Sequence, residues 1–133
     1  MDFFNSLLGY SDYGVALLRI ALGIVFLKHG MMKFGLWNMR PSDQMPAQML
    51  NIMRILSIVE PIAGFAIVFG VFTQFAAIAL AVVMIGAMYF KIFKWKKPFA
   101  GDGGWEFDFI LLAVTLALIF SGGGAWSVDA LLK

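Results

Sequence analysis

The residues that could do chemistry in this chain sit where charge is unwelcome. Arg19, Lys28, His29 and Lys33 lie in one apolar stretch, Arg54 and Glu60 in a second, and Glu106 and Asp108 open the last. Ionisable groups carried on oily segments are costly and seldom idle. His29, the sole histidine, is the side chain whose ordinary titration range suits proton exchange near neutral pH. Glu60 is the deepest acid, about 15 Å from the nearer end of its segment at helical rise. Pro61 follows it, removes a backbone donor and marks an expected kink. His29 and Glu60 are therefore the candidate acid–base pair. Arg19, Lys28, Lys33, Arg54, Glu106 and Asp108 are candidate substrate-binding groups, and Trp105 could stack on a flat ring. Arg19, Lys28 and His29 are the candidate partners that would keep Glu60 ionised.

Spacing gathers several of these groups. Arg19, Gly23, Phe26, Gly30 and Lys33 recur at three- or four-residue steps, with His29 beside them. They would share one helical face, and its glycines would let a neighbouring helix come close. Lys28 points away from His29 and could snorkel to the membrane surface. The expectation is a polar recess between the first, second and fourth apolar segments. The competing reading is an ion-pair network that only fixes helix packing, since both uses need the same geometry. The chain has no cysteine, so thiolate metal sites, iron–sulfur clusters and disulfides are excluded within it. With one histidine and scattered methionines, no metal centre is expected.

The elements that must position these groups are membrane spans. Hydrophobic residues make up 62% of the 133-residue chain and charged residues only 14%. That is too little charge to solubilise a domain of this size. The mean hydropathy of +0.88 agrees. Four apolar segments are read, at 13–34, 50–71, 75–93 and 105–121. At helical rise the first three measure about 28–33 Å, against a hydrocarbon core of about 30 Å. The last is shorter, at about 25 Å. The fold expected is all-α: one polytopic domain, 1–133, built as a four-transmembrane-helix bundle. Both termini look amphipathic and suited to the headgroup region, with Phe3, Phe4, Leu7 and Leu8 on one face. No basic residue precedes Arg19, so no cleaved signal is expected.

Charge placement sets the orientation. Lys33, Arg40, Arg54, Lys91, Lys94, Lys96 and Lys97 fall on one side of the four spans, while the other has Lys133 and the more deeply set Arg19. Basic loops face the cytoplasm, so both termini are expected outside. The lysines after position 90 hold topology and meet anionic lipid. They could also attract an anionic substrate or an acidic protein. Trp37, Trp95, Trp105 and Trp126 lie near span ends, as an aromatic belt would. No nucleic-acid partner is expected.

Four stretches in order resemble the DoxX family. These are Leu18 to Lys33 (LRIALGIVFLKHGMMK), Glu60-Pro61-Ile62-Ala63-Gly64 on to Gly70 and Thr73, Gly103 to Asp108 (GGWEFD), and Gly122 to Leu132 (GGGAWSVDALL). The segment 35–49 carries no such likeness. The resemblance implies a four-helix bundle in a bacterial or archaeal plasma membrane. One branch of that family is a subunit of a thiosulfate:quinone oxidoreductase, so it implies a quinone and a small anion as substrates. It places the family's polar positions on Arg19, His29, Gly30, Lys33, Glu60, Glu106 and Asp108. Two functions follow as expectations. One is a quinone-linked oxidoreductase subunit, with His29 and Glu60 as donor and relay and Arg19 and Lys33 holding the anion. The other is a non-catalytic anchor or assembly subunit of a redox complex, or a small-solute module. In either, self-association or a partner redox subunit is expected.

Overall fold

Backbone in lipid has no water to bond, so each crossing segment must satisfy its own amides, and a helix does so. The computed structural model describes residues 1–133, and the chain is helical without strands. The bundle consists of α2 (Ser11–Met32), α3 (Ala47–Phe69), α4 (Thr73–Tyr89) and α5 (Glu106–Ser121). A short α1 (Asp2–Leu7) and a 3-10 turn lead into α2, and α6 (Val128–Leu131) ends the chain. The segments carrying α2, α3 and α4 are long and apolar enough to cross a membrane. The 16 residues of α5 make about 24 Å of helix, so the bilayer thins there or α5 stands nearly upright.

Small residues set the tightest contact. A Cβ at Gly23 would come within 2.6 Å of the Gly64 carbonyl oxygen, and one at Gly64 within 2.9 Å of the Gly23 oxygen. At Gly30 a Cβ would overlap the Pro61 ring. Backbone-to-backbone packing of this kind replaces the hydrophobic drive that lipid does not supply. It also explains Pro61. Expected as a kink, it lies inside an uninterrupted α3, with its ring against Gly30. α2 packs chiefly on α3 and α4 on α5, and the seams between these pairs are thinner. Leu22, Phe26, Ile67, Leu80, Leu111 and Leu118 bring all four helices into one core. Ile55, Phe65, Phe75, Ile85 and Phe120 point outward, the arrangement of a lipid-facing surface.

The connections are structured. Gly70, at φ +68°, ends α3 in a left-handed cap, which lets α4 begin after only Val71 and Phe72. After α2, a 3-10 turn at Phe34–Asn38 is held to α3 by Trp37 Nε1 donating to Ser57 Oγ at 2.8 Å. At its far end α4 widens into a π-turn, Phe90–Lys94, closed by Trp95 N–H on the Phe90 carbonyl at 2.8 Å. The residues after α5 fold back over the end of the bundle at the α3–α4 turn, where Asp129 accepts from the backbone N–H of Phe72 and Thr73 at 2.7 and 2.8 Å.

Candidate functional site

A cavity lies between the helices at the end remote from both termini. Its volume is about 440 Å³, and its walls are mostly apolar. Five ionisable residues reach it, one or two from each helix or its flank: His29 and Lys33 at the end of α2, Glu60 from α3, Lys91 just past α4, and Asp108 from α5. Every span therefore helps to build it. The expected recess excluded α4; in the structure Val82, Val83, Gly86 and Ala87 of that helix form one wall.

Two ion pairs organise the polar side. Lys33 Nζ meets Glu60 Oε2 at 2.5 Å, and Lys91 Nζ meets Asp108 Oδ2 at 2.6 Å. The Glu60 side chain is 3% exposed and the Lys33 side chain 20%, so the acid is desolvated while its partner still reaches the cavity. Helix register explains the first pair. The seat of Pro61 on Gly30 brings Glu60 beside the last turn of α2, one step from Lys33. The π-turn begins one residue before Lys91 and re-aims the chain there. Each lysine has three donors. Lys33 directs one to Glu60 and one to the His29 carbonyl at 3.4 Å, and Lys91 directs one to Asp108 and one to the Gly104 carbonyl at 3.3 Å. One N–H therefore remains on each. His29 lies between the Phe26 and Phe107 rings, with centroids 6.5 and 5.7 Å away.

The other candidates stand elsewhere. Arg19 is not in this recess. It is buried at the opposite end, where Nη1 and Nη2 donate to the carbonyls of Gly123 at 3.1 Å and Trp126 at 2.6 Å. The glycine-rich C-terminal segment that folds over it carried no charge signal to reveal the contact. Arg54 serves the loop after α2, donating to the carbonyls of Leu36 and Met39 at 3.1 and 2.6 Å. Lys28 and Glu106 are exposed. Trp105 packs edge-on against Phe99 and Phe109, with centroids 4.6 and 6.2 Å away, and does not line the cavity. The partner of Glu60 is thus Lys33 rather than Arg19, Lys28 or His29. Lys91, read from sequence as a topology signal, is the residue that reasoning missed. Its signal was an acid, Asp108, set one turn into the next span.

Asp129 lies outside the spans. Burial opposes its ionisation, but hydrogen bonds from Thr73 and Phe72 outweigh burial and hold its carboxyl below the usual carboxylate range.

The DoxX family model matches residues 14–95. The chain is 31% identical to a Bacillus subtilis protein named "Putative oxidoreductase CatD", over 89% of this chain and 86% of the relative. It is 29% identical to an "Uncharacterized membrane protein" of Mycobacterium tuberculosis, over 86% of this chain and 78% of the relative. A Haemophilus influenzae protein without an assigned role is also 29% identical, over 94% and 95%. No solved structure matches.

Proposed function

This chain belongs to the DoxX family of membrane proteins, and we propose that it is a subunit of a quinone-linked oxidoreductase whose ring site is the ion-paired cavity. The observation that carries the reading is two lysine–carboxylate pairs set in an otherwise apolar, interior cavity. A quinone needs apolar walls, a donor for its carbonyl oxygens and a proton route. The free N–H on Lys33 and on Lys91 supplies donors. The cavity volume of about 440 Å³ falls within the roughly 300–1,000 Å³ typical of small-molecule sites. The oxidoreductase name of the Bacillus relative agrees with a redox role.

His29 and Glu60 supply the proton route. Glu60 accepts from Lys33 through Oε2, which leaves Oε1 to hold or pass a proton. The His29 ring stands at the same cavity and exchanges with the basic, cytoplasmic side. The electrons come from a small anionic reductant, of which thiosulfate is the candidate. Joining two thiosulfate ions by a new S–S bond gives tetrathionate and releases two electrons. With two protons, these convert a quinone to its quinol. Lys33 and the lysines beyond Lys91 attract the anion. Arg19, both of whose terminal nitrogens are engaged with backbone, is not assigned that task.

The test is turnover by purified protein in liposomes with thiosulfate and a decyl-tailed benzoquinone, followed by tetrathionate and quinol formation. The expected result is activity that the combined His29→Ala and Glu60→Gln changes abolish in folded protein. Unchanged turnover in that variant would overturn the assigned roles. No quinone binding, with copurification of a soluble redox enzyme, would replace the proposal by an anchoring function.

A further inference from the structure

The two sides of the cavity differ in kind. The ionic groups His29, Lys33, Glu60, Lys91 and Asp108 form one side, while α3 adds Met49, Ile52, Met53 and Leu56 along a single apolar stripe leading away from Glu60. The stripe from Met49 to Glu60 covers about 16 Å of helix, longer than a single ring. α3 and α4 are tied together by the tight turn at Gly70, Val71 and Phe72. The halves of both helices that line the cavity are those far from this turn. The seam between the two helices is thin, and the cavity lies along the part of it far from the turn.

Val82 shows where that seam leads. It lines the cavity and is 64% exposed, so no neighbouring helix seals the wall there. Gly86, one turn further on, is a glycine in mid-helix, which is unfavourable without a reason. Gly23, Gly30 and Gly64 each have such a reason in a close helix contact, but a Cβ at Gly86 would meet nothing within 4 Å. What Gly86 preserves is room.

We infer that the cavity opens sideways to the lipid between α3 and α4, and that its ligand is a long-chain amphiphile, a quinone whose apolar tail leaves through this portal. The inference rests on the quinone reading for the ring. The portal itself requires only a polar head directed at the ion pairs and a tail directed at the membrane.

The probe is a benzoquinone carrying a photoreactive diazirine at the end of a ten-carbon tail, applied to the full-length protein in liposomes. Labelled residues are mapped by mass spectrometry, and the same ring without a tail is the competitor. The expected labels are competable and fall on the lipid-facing flanks of the portal, on Ile55, Val82 or Ile85. Gly86→Phe should lower them about tenfold, equivalent to about 1.4 kcal/mol, and Phe120→Leu, on the exposed face of α5 and away from the cavity, should leave them unchanged. Competable labelling confined to residues 94–104 would mean that the tail points to the aqueous side. That would overturn the portal and leave the ring site standing. Labelling that the tail-less ring does not compete would overturn both.

Discussion

The two ends of this bundle treat buried basic residues in opposite ways. At the end that carries both termini, the Arg19 guanidinium is closed in by the carbonyls of Gly123 and Trp126, and Gly70 approaches so closely that a Cβ there would overlap Nη1. At the opposite end Lys33 and Lys91 each bond one carboxylate oxygen, line the cavity and keep one N–H without a protein partner. A planar group with fixed donors suits the first task and a point charge with spare donors the second. Charge in a span is therefore not enough to mark a functional group. What matters is whether open space is left beside it: Arg19 is sealed in, even with its Nε unpartnered, whereas Lys33 and Lys91 line a cavity.

The largest effect expected from this contrast is on stability at the Arg19 end. Arg19→Leu leaves two backbone carbonyls without their donors, at about 1–3 kcal/mol each, so a loss of about 3 kcal/mol should appear in thermal unfolding in detergent. Arg19→Lys should recover little, because a single ammonium cannot span both carbonyls. The protein that remains folded should bind a quinone normally. An Arg19→Leu variant with an unchanged melting temperature but no turnover would give Arg19 a functional role and not a structural one.

At the cavity end the balance should reverse. Glu60→Gln keeps the shape and a hydrogen-bond acceptor for Lys33 but removes the charge. A proton relay typically contributes about 100-fold or more in rate, so turnover should fall by at least that factor. Breaking a buried pair costs about 3–5 kcal/mol, but the Lys33 side chain is 20% exposed and solvent offsets part of that, so the stability loss should be about 2 kcal/mol, smaller than the loss in rate. Equal and large losses of stability and rate would make the pair a structural one.

Asp129 gives a smaller effect with a pH signature. It caps the first turn of α4, and Asp129→Asn should cost about 1 kcal/mol at neutral pH. Because its folded-state carboxyl titrates below the ordinary value of 3.8, its contribution is fully present above that value. It is lost as pH falls through the lower, folded-state value. Unfolding measured from pH 6 to pH 2 should show this acid loss in the native protein and a shallower one in the variant.

The spans were legible because lipid enforces them: a helix that must cross about 30 Å cannot hide its apolar length, and the run from Phe75 to Phe90 carries no charge at all. His29, Lys33, Glu60 and Asp108, read from sequence as charges out of place, do meet at one cavity. Their pairing was not legible, because it depends on how far one helix slides along another. That offset is fixed by Pro61 resting on Gly30, a contact between two residues 31 positions apart whose types alone do not name each other. Arg19 was misplaced for a similar reason. Its partners are backbone carbonyls in the segment after α5, and carbonyls leave no mark in a sequence. Lys91 was hidden among Lys94, Lys96 and Lys97, and only the π-turn distinguishes it.

The smallest effect is expected at Lys28, and it sharpens the comparison because Lys28 shares a helix with Lys33. Lys28 is exposed on the outer face of α2 and takes part in neither ion pair. Its long stem can carry the ammonium to the membrane surface. Lys28→Gln should therefore change stability by no more than about 0.5 kcal/mol, as surface substitutions do, and turnover by less than about twofold, the rate equivalent of that energy. Lys33→Gln, five positions on, should lower quinone affinity and disturb Glu60. If both substitutions slowed turnover alike, the anion would be approaching along the outside of α2, and positive charge near the headgroups would matter more than the spare donor inside. A salt titration separates the cases. An exposed charge loses its influence as ionic strength rises, whereas the buried Lys33–Glu60 pair should be far less sensitive to it.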